Sequence, residues 1–127
     1  MADIFGTNGN DTLVGTSGGD NIFAFAGNDE LFGWGGRDEL FGDKGFDLLE
    51  GGSASDTLFG GSKDDRLRGQ NGDDELNGGG GDDSLSGGRG DDVLTGGRET
   101  DLFNFNVNNT SAAGSTSSRI STKPPSS

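Results

Sequence analysis

Gly69-Gln70-Asn71-Gly72-Asp73-Asp74-Glu75-Leu76-Asn77 is followed without a break by Gly78-Gly79-Gly80-Gly81-Asp82-Asp83-Ser84-Leu85-Ser86 and Gly87-Gly88-Arg89-Gly90-Asp91-Asp92-Val93-Leu94-Thr95. These three nonapeptides share glycine in places one and four, aspartate in places five and six, and leucine in place eight. Followed outward, the register runs back to Gly6 and on to Asn104, giving eleven units, 11 × 9 = 99 of 127 residues, with no insertion. Place six is aspartate in every unit: Asp11, Asp20, Asp29, Asp38, Asp47, Asp56, Asp65, Asp74, Asp83, Asp92 and Asp101. Place eight is always large and apolar: Leu13, Ile22, Leu31, Leu40, Leu49, Leu58, Leu67, Leu76, Leu85, Leu94 and Phe103. Glycine fills place one in ten units, with Ala24 the exception, and place four in eight, failing at Ala54, Lys63 and Glu99. Self-similarity at a fixed short period marks a stacked, solenoid-type architecture.

The last three places of each unit set one apolar residue between two polar or mixed ones, the pattern of a short strand with its central side chain turned inward. The six glycine-rich residues before them turn the chain. Glycine suits them because tight turns need positive φ and because the backbone must approach closely whatever fills the turn.

The repeat matches the pattern G-G-x-G-x-D-x-U-x, in which U is a large apolar residue, and by it the chain resembles the RTX, or haemolysin-type calcium-binding, family over residues 6–104. The resemblance implies an all-β fold, a right-handed parallel β-roll in which two nonapeptides make one coil and alternate units stack into two facing sheets. Ile4, from the half-unit 1–5, then joins Ile22, Leu40, Leu58, Leu76 and Leu94 against Leu13, Leu31, Leu49, Leu67, Leu85 and Phe103. It further implies Ca²⁺ between the turns of units i and i+2. The ligands are the eleven place-six aspartates with turn carbonyls near Gly6, Gly9, Gly15, Gly18, Gly33, Gly36, Gly51, Gly69, Gly72, Gly78, Gly81, Gly87 and Gly90. Six odd turns enclose five sites and five even turns four, so nine ions is the ceiling. Interruptions at Ala24-Phe25, Lys63 and Glu99 fall on odd units, so the tighter sites are expected on the even side, above all between units eight and ten.

Charge agrees with that expectation. The chain carries 22 acidic and 9 basic residues, net −13, which disfavours nucleic acid and favours cations. Aspartates on neighbouring strands about 4.8 Å apart repel by about 0.9 kcal/mol at the dielectric of water and about 3.5 kcal/mol at an effective value of 20. A hard divalent cation that accepts carboxylate and carbonyl oxygens reverses that sign, and calcium tolerates irregular geometry better than magnesium does. The repeat block holds 21 acidic and 7 basic residues, so nine Ca²⁺ would take it from −14 to +4. With 27 glycines and 27% apolar residues, the ion-free chain is expected to be disordered and metal binding to drive folding.

The absence of cysteine and histidine removes disulfides, imidazole bases and the usual zinc ligands, and Gly15-Thr16-Ser17-Gly18-Gly19 cannot complete a hydrolase triad without histidine. The chain is therefore read as non-enzymatic. No basic segment with an apolar run opens it and no apolar stretch of 18 residues occurs, so neither a cleavable signal peptide nor a membrane span is expected. The family resemblance implies export and an extracellular location. Two further readings stay open: an accessory fragment of a secreted toxin or hydrolase, and an adhesive or ice-binding solenoid, for which only Thr7 and Thr16 share an outward turn place. Phe23, Phe41 and Phe59 share place nine of even units and should stack as an outward ladder, either as local packing or as a face for a second copy or a parent domain. The place-five acids Asp64, Asp73, Asp82 and Asp91 read as solvated charges or as outer support for the ligands. Residues 105–127 turn Ser/Thr-rich and end near Pro124-Pro125, a disordered tail in which Phe105 and Val107 extend the last strand.

Overall fold

The computed structural model describes residues 1–104 and the backbone of one further strand, 117–122. The expectations for Phe105, Val107 and Pro124-Pro125 lie outside the described residues. Every regular element in that range is a strand, and every pairing is parallel. One sheet holds β1 (Asp3–Phe5), β3 (Asn21–Phe23), β5 (Glu39–Asp43), β7 (Thr57–Gly61), β9 (Glu75–Gly79), β11 (Asp91–Gly97) and β13 (Ser117–Thr122), in that order. The other holds β2 (Thr12–Val14), β4 (Glu30–Phe32), β6 (Leu48–Gly52), β8 (Arg66–Gln70), β10 (Ser84–Ser86) and β12 (Leu102–Asn104). Alternation of successive strands between the two sheets makes two nonapeptides one coil of a parallel β-solenoid, as the repeat predicts.

Register follows the nonapeptide without slippage. Ile4 pairs with Ile22, Ile22 with Leu40, Leu40 with Leu58, Leu58 with Leu76 and Leu76 with Leu94. On the opposite sheet Leu13 pairs with Leu31, and the series continues through Leu49, Leu67 and Leu85 to Phe103. The place-eight side chains from Ile22 to Leu94 are fully buried, and Ile4, Leu13 and Phe103 close the two ends as partly buried members of the same core. Each fully buried side chain contributes about 1.5–3 kcal/mol, but the core is only one residue wide per strand.

Five central strands, β5 to β9, run five residues rather than three and carry places one and two of the following unit. Period-two alternation then puts three places inward: six, eight and the next one. Aspartate, leucine and glycine therefore share the interior, and the aspartates from Asp20 to Asp92 are buried almost as completely as the leucines.

On the outer face of the first sheet Phe5, Phe23, Phe41 and Phe59 stack with ring centroids 5.3, 5.0 and 5.1 Å apart. The ladder expected from three phenylalanines gains Phe5 from the half-unit, and Phe25 lies 6.2 Å from Phe5. Strand separation fixes the spacing, and each offset stack adds about 0.5–1.5 kcal/mol to the sheet. No helix among the described residues is long and apolar enough to cross a membrane.

Candidate metal centre

Glycine answers two needs in these turns, positive φ together with close backbone approach in places two and four, and space alone in place one. Places two and four have positive φ in all of units three to eleven, whether the residue is Gly52 (103°) and Gly36 (86°) or Trp34 (78°) and Lys63 (73°). Place one has no such backbone and needs glycine for space. A Cβ on Gly60 would stand 2.7 Å from Asp65 Oδ2 and 2.8 Å from the Gly78 carbonyl oxygen. The missing methyl thus marks a small cradle where a carboxylate oxygen of one unit and a place-one carbonyl oxygen two units on converge. The cradle at Gly42, between Asp47 Oδ2 (2.6 Å) and the Gly60 carbonyl (2.8 Å), repeats it on the neighbouring turn.

From Asp29 to Asp101, each place-six carboxylate accepts one backbone bond from the place-six residue two units before it. The backbone N–H of Asp47 donates to Asp65 Oδ1 at 2.8 Å, that of Asp56 to Asp74 Oδ1 at 2.9 Å, and that of Asp65 to Asp83 Oδ1 at 2.8 Å. The same bond recurs at every 18-residue step from Asp11 to Asp101. With Oδ1 so occupied, the second oxygen points into the cradle. Oδ2 of Asp29, Asp38, Asp47, Asp56, Asp65, Asp74, Asp83 and Asp92 is buried and accepts no hydrogen bond. Buried polar atoms are nearly always satisfied, so eight orphaned carboxylate oxygens in register call for a partner that the chain does not supply.

Electrostatics carry the same message. Burial pushes Asp65 and Asp74 up to about 8, and the carboxylates of the adjacent turns add to the effect. It pushes Asp47, Asp56 and Asp83 to about 7, and Asp38 and Asp92 to about 6. Asp29 and Asp101 move upward for the same reason. Asp20 is the exception. Burial acts to raise it too, but bonds from the Thr16 amide and hydroxyl and the Ala2 amide outweigh that and hold it below the usual range.

No three acidic side chains converge on one point among the described residues. A cation in this cradle therefore draws on one or two carboxylates and completes its shell from backbone carbonyls. That all-oxygen, mixed donor set suits calcium, which takes 6–8 oxygens in flexible geometry.

Sequence reasoning did not anticipate the behaviour of the place-five side chains. Asp64 Oδ1 accepts the Asp82 N–H at 2.8 Å, Asp73 Oδ1 the Asp91 N–H at 2.8 Å, and Asp82 Oδ1 the Thr100 N–H at 3.1 Å. Asn10 and Asn28 do the same at the start of the roll, toward Asn28 and Phe46. These residues form a second, exposed ladder that ties turn to turn. The signal was present in the sequence as the run of Asx residues at one place every 18 positions.

The cradle makes a clear prediction about glycine. Gly60→Ala puts a methyl against Asp65 Oδ2 and the Gly78 carbonyl, whereas a Cβ on Gly80 meets nothing within 4 Å. In native mass spectrometry Gly60→Ala is expected to lose one calcium ion and Gly80→Ala none. Ala24 already carries a methyl at this place in unit three.

No curated protein and no solved structure shows a significant match to the chain. The family profile of the RTX calcium-binding nonapeptide repeat matches it four times, over residues 5–40, 35–67, 50–85 and 68–103. Together the matches cover β2 to β11 and every orphaned carboxylate. The chain belongs to the RTX calcium-binding nonapeptide repeat family, and it binds Ca²⁺ through a β-roll of such repeats.

Proposed function

We propose that this chain is a calcium-dependent folding and stabilising module of an exported protein, loosely structured where calcium is scarce and ordered where it is millimolar. The ligands are the place-six aspartates whose Oδ2 is orphaned, together with turn carbonyls from the unit two places on. The row of eight unpartnered, buried Oδ2 atoms carries the reading. Burying an unpaired carboxylate is strongly unfavourable, so the calcium-free roll works against its own fold and ion binding becomes folding free energy. An extracellular location follows from that dependence, since calcium is abundant there. The test is small-angle scattering at submicromolar and at millimolar free calcium. Collapse from chain-like to compact dimensions on adding calcium is expected; a compact particle in both conditions refutes the reading.

A further inference from the structure

The first two turns differ from the other nine. In units one and two, places two and four hold Thr7, Gly9, Thr16 and Gly18, and none of them has positive φ. With the backbone turned differently, the Thr7 N–H donates to Asp11 Oδ2 at 2.6 Å and the Thr16 N–H to Asp20 Oδ2 at 2.6 Å. The hydroxyls follow: Thr7 Oγ1 donates to the Asp11 carboxylate, 3.0 Å from Oδ2 and 3.1 Å from Oδ1, and Thr16 Oγ1 to that of Asp20, 2.9 and 3.0 Å from the same atoms. Each hydroxyl also accepts the place-four N–H, from Gly9 and Gly18, at 3.1 Å. Both turns make the same closed network, and in both the carboxylate oxygen that stands orphaned from Asp29 to Asp92 is doubly satisfied.

We propose that threonine in place two determines which turns of this roll take calcium, and that Thr7 and Thr16 close the first two inter-turn positions to the ion. The inference rests on the calcium reading above and narrows it. The amide and hydroxyl supply two donors to Oδ2, while a cation needs that same lone-pair density free. The place-one carbonyls of Ala24 and Gly33 face Asp11 and Asp20 as their equivalents do elsewhere, at 2.9 and 2.8 Å and at 2.7 and 2.7 Å from a common point, so the arrangement of acceptors is unchanged and only the donors differ. The ceiling then falls from nine ions to 9 − 2 = 7, held by Asp29, Asp38, Asp47, Asp56, Asp65, Asp74 and Asp83, each with the place-one residue two units on inside the described residues. The two closed turns give the roll an end that needs no metal, against which the third and fourth turns stack. They also give Thr7 and Thr16 a role other than the start of an outward threonine ladder.

Counting bound calcium by native mass spectrometry in the full chain, the Thr7→Gly/Thr16→Gly chain and the Thr7→Ser/Thr16→Ser chain tests this. The unaltered protein is expected to bind no more than seven ions, the glycine pair two more than the unaltered protein, and the serine pair, which keeps the hydroxyl, the same number. Eight or nine ions on the unaltered chain overturn the proposal, and so does a folded glycine pair with no gain. Should the glycine pair fail to order, the counts for the unaltered chain and the serine pair decide. Absence of bound calcium from all three chains would instead remove the calcium reading itself.

Discussion

In the presence of chelator, lowering the pH from 8 to 4 is expected to create strand structure rather than destroy it. Asp65 and Asp74 are pushed up to about 8, Asp47, Asp56 and Asp83 to about 7, and Asp38 and Asp92 to about 6, against an ordinary 3.8. The folded roll therefore holds protons more tightly than the unfolded chain does. By linkage that contribution to stability is complete below the unfolded value near 3.8 and is lost as the pH rises through 6 to 8. Ordinary acid denaturation runs the other way, because paired carboxylates have depressed values. Asp20 is such a group here, and it limits the gain from below as it protonates. With calcium present the trend reverses, because protons compete with the ion for the same Oδ2 atoms. Far-UV circular dichroism in chelator from pH 8 to pH 4, with sedimentation to exclude association near the isoelectric point of about 4.1, measures this. A chain that stays coil-like across the range contradicts the buried-carboxylate account.

Asp65→Asn is expected to change the sign of its effect with calcium. Asp65 Oδ1 accepts the Asp47 N–H at 2.8 Å, and an asparagine oxygen keeps that bond. Its amide nitrogen replaces the orphaned Oδ2 and faces the Gly78 carbonyl across the Gly60 cradle, 2.7 and 2.8 Å from their common point. Without metal, the substitution removes a buried unpaired charge and its repulsion with Asp47 and Asp83 and adds a donor, so the roll should gain on the order of 1–3 kcal/mol. With saturating calcium, it removes an anionic ligand and should cost one ion and several degrees of melting temperature. Asp65→Ala separates the two contributions. It also strands the Asp47 N–H, so it should destabilise in both conditions. Thermal melts of the three chains with chelator and with calcium give the comparison, and loss of stability by Asp65→Asn in chelator would contradict the account.

These two predictions depend on features that the sequence showed unequally. The nonapeptide register placed Ile22 to Leu94 inside, paired them 18 residues apart and stacked Phe23, Phe41 and Phe59, because period-two alternation in a strict repeat leaves only one arrangement of faces. The turns were less legible. Glycine in place one serves by its missing Cβ and glycine in places two and four also by its positive φ, but one letter writes both, so Trp34, Asp43 and Gln70 in place two did not register as residues held in a left-handed backbone. Thr7 and Thr16 stand out in the sequence only as a pair sharing one outward turn place, because their bonds to Asp11 and Asp20 depend on a backbone direction that sequence does not carry. Ala24 looked like an interruption, yet it is buried and keeps the place-one backbone bond, its N–H donating to the Phe41 carbonyl at 2.9 Å. Phe5 was missed as a ladder member because it precedes the first full unit.

The central claim, that each inter-turn cradle with an orphaned carboxylate oxygen takes one calcium ion, is tested most directly by isothermal calorimetric titration of the calcium-free chain with calcium. Several ions per chain, up to seven, are expected, with uptake and ordering in the same concentration range. Two ions or fewer per chain would contradict it.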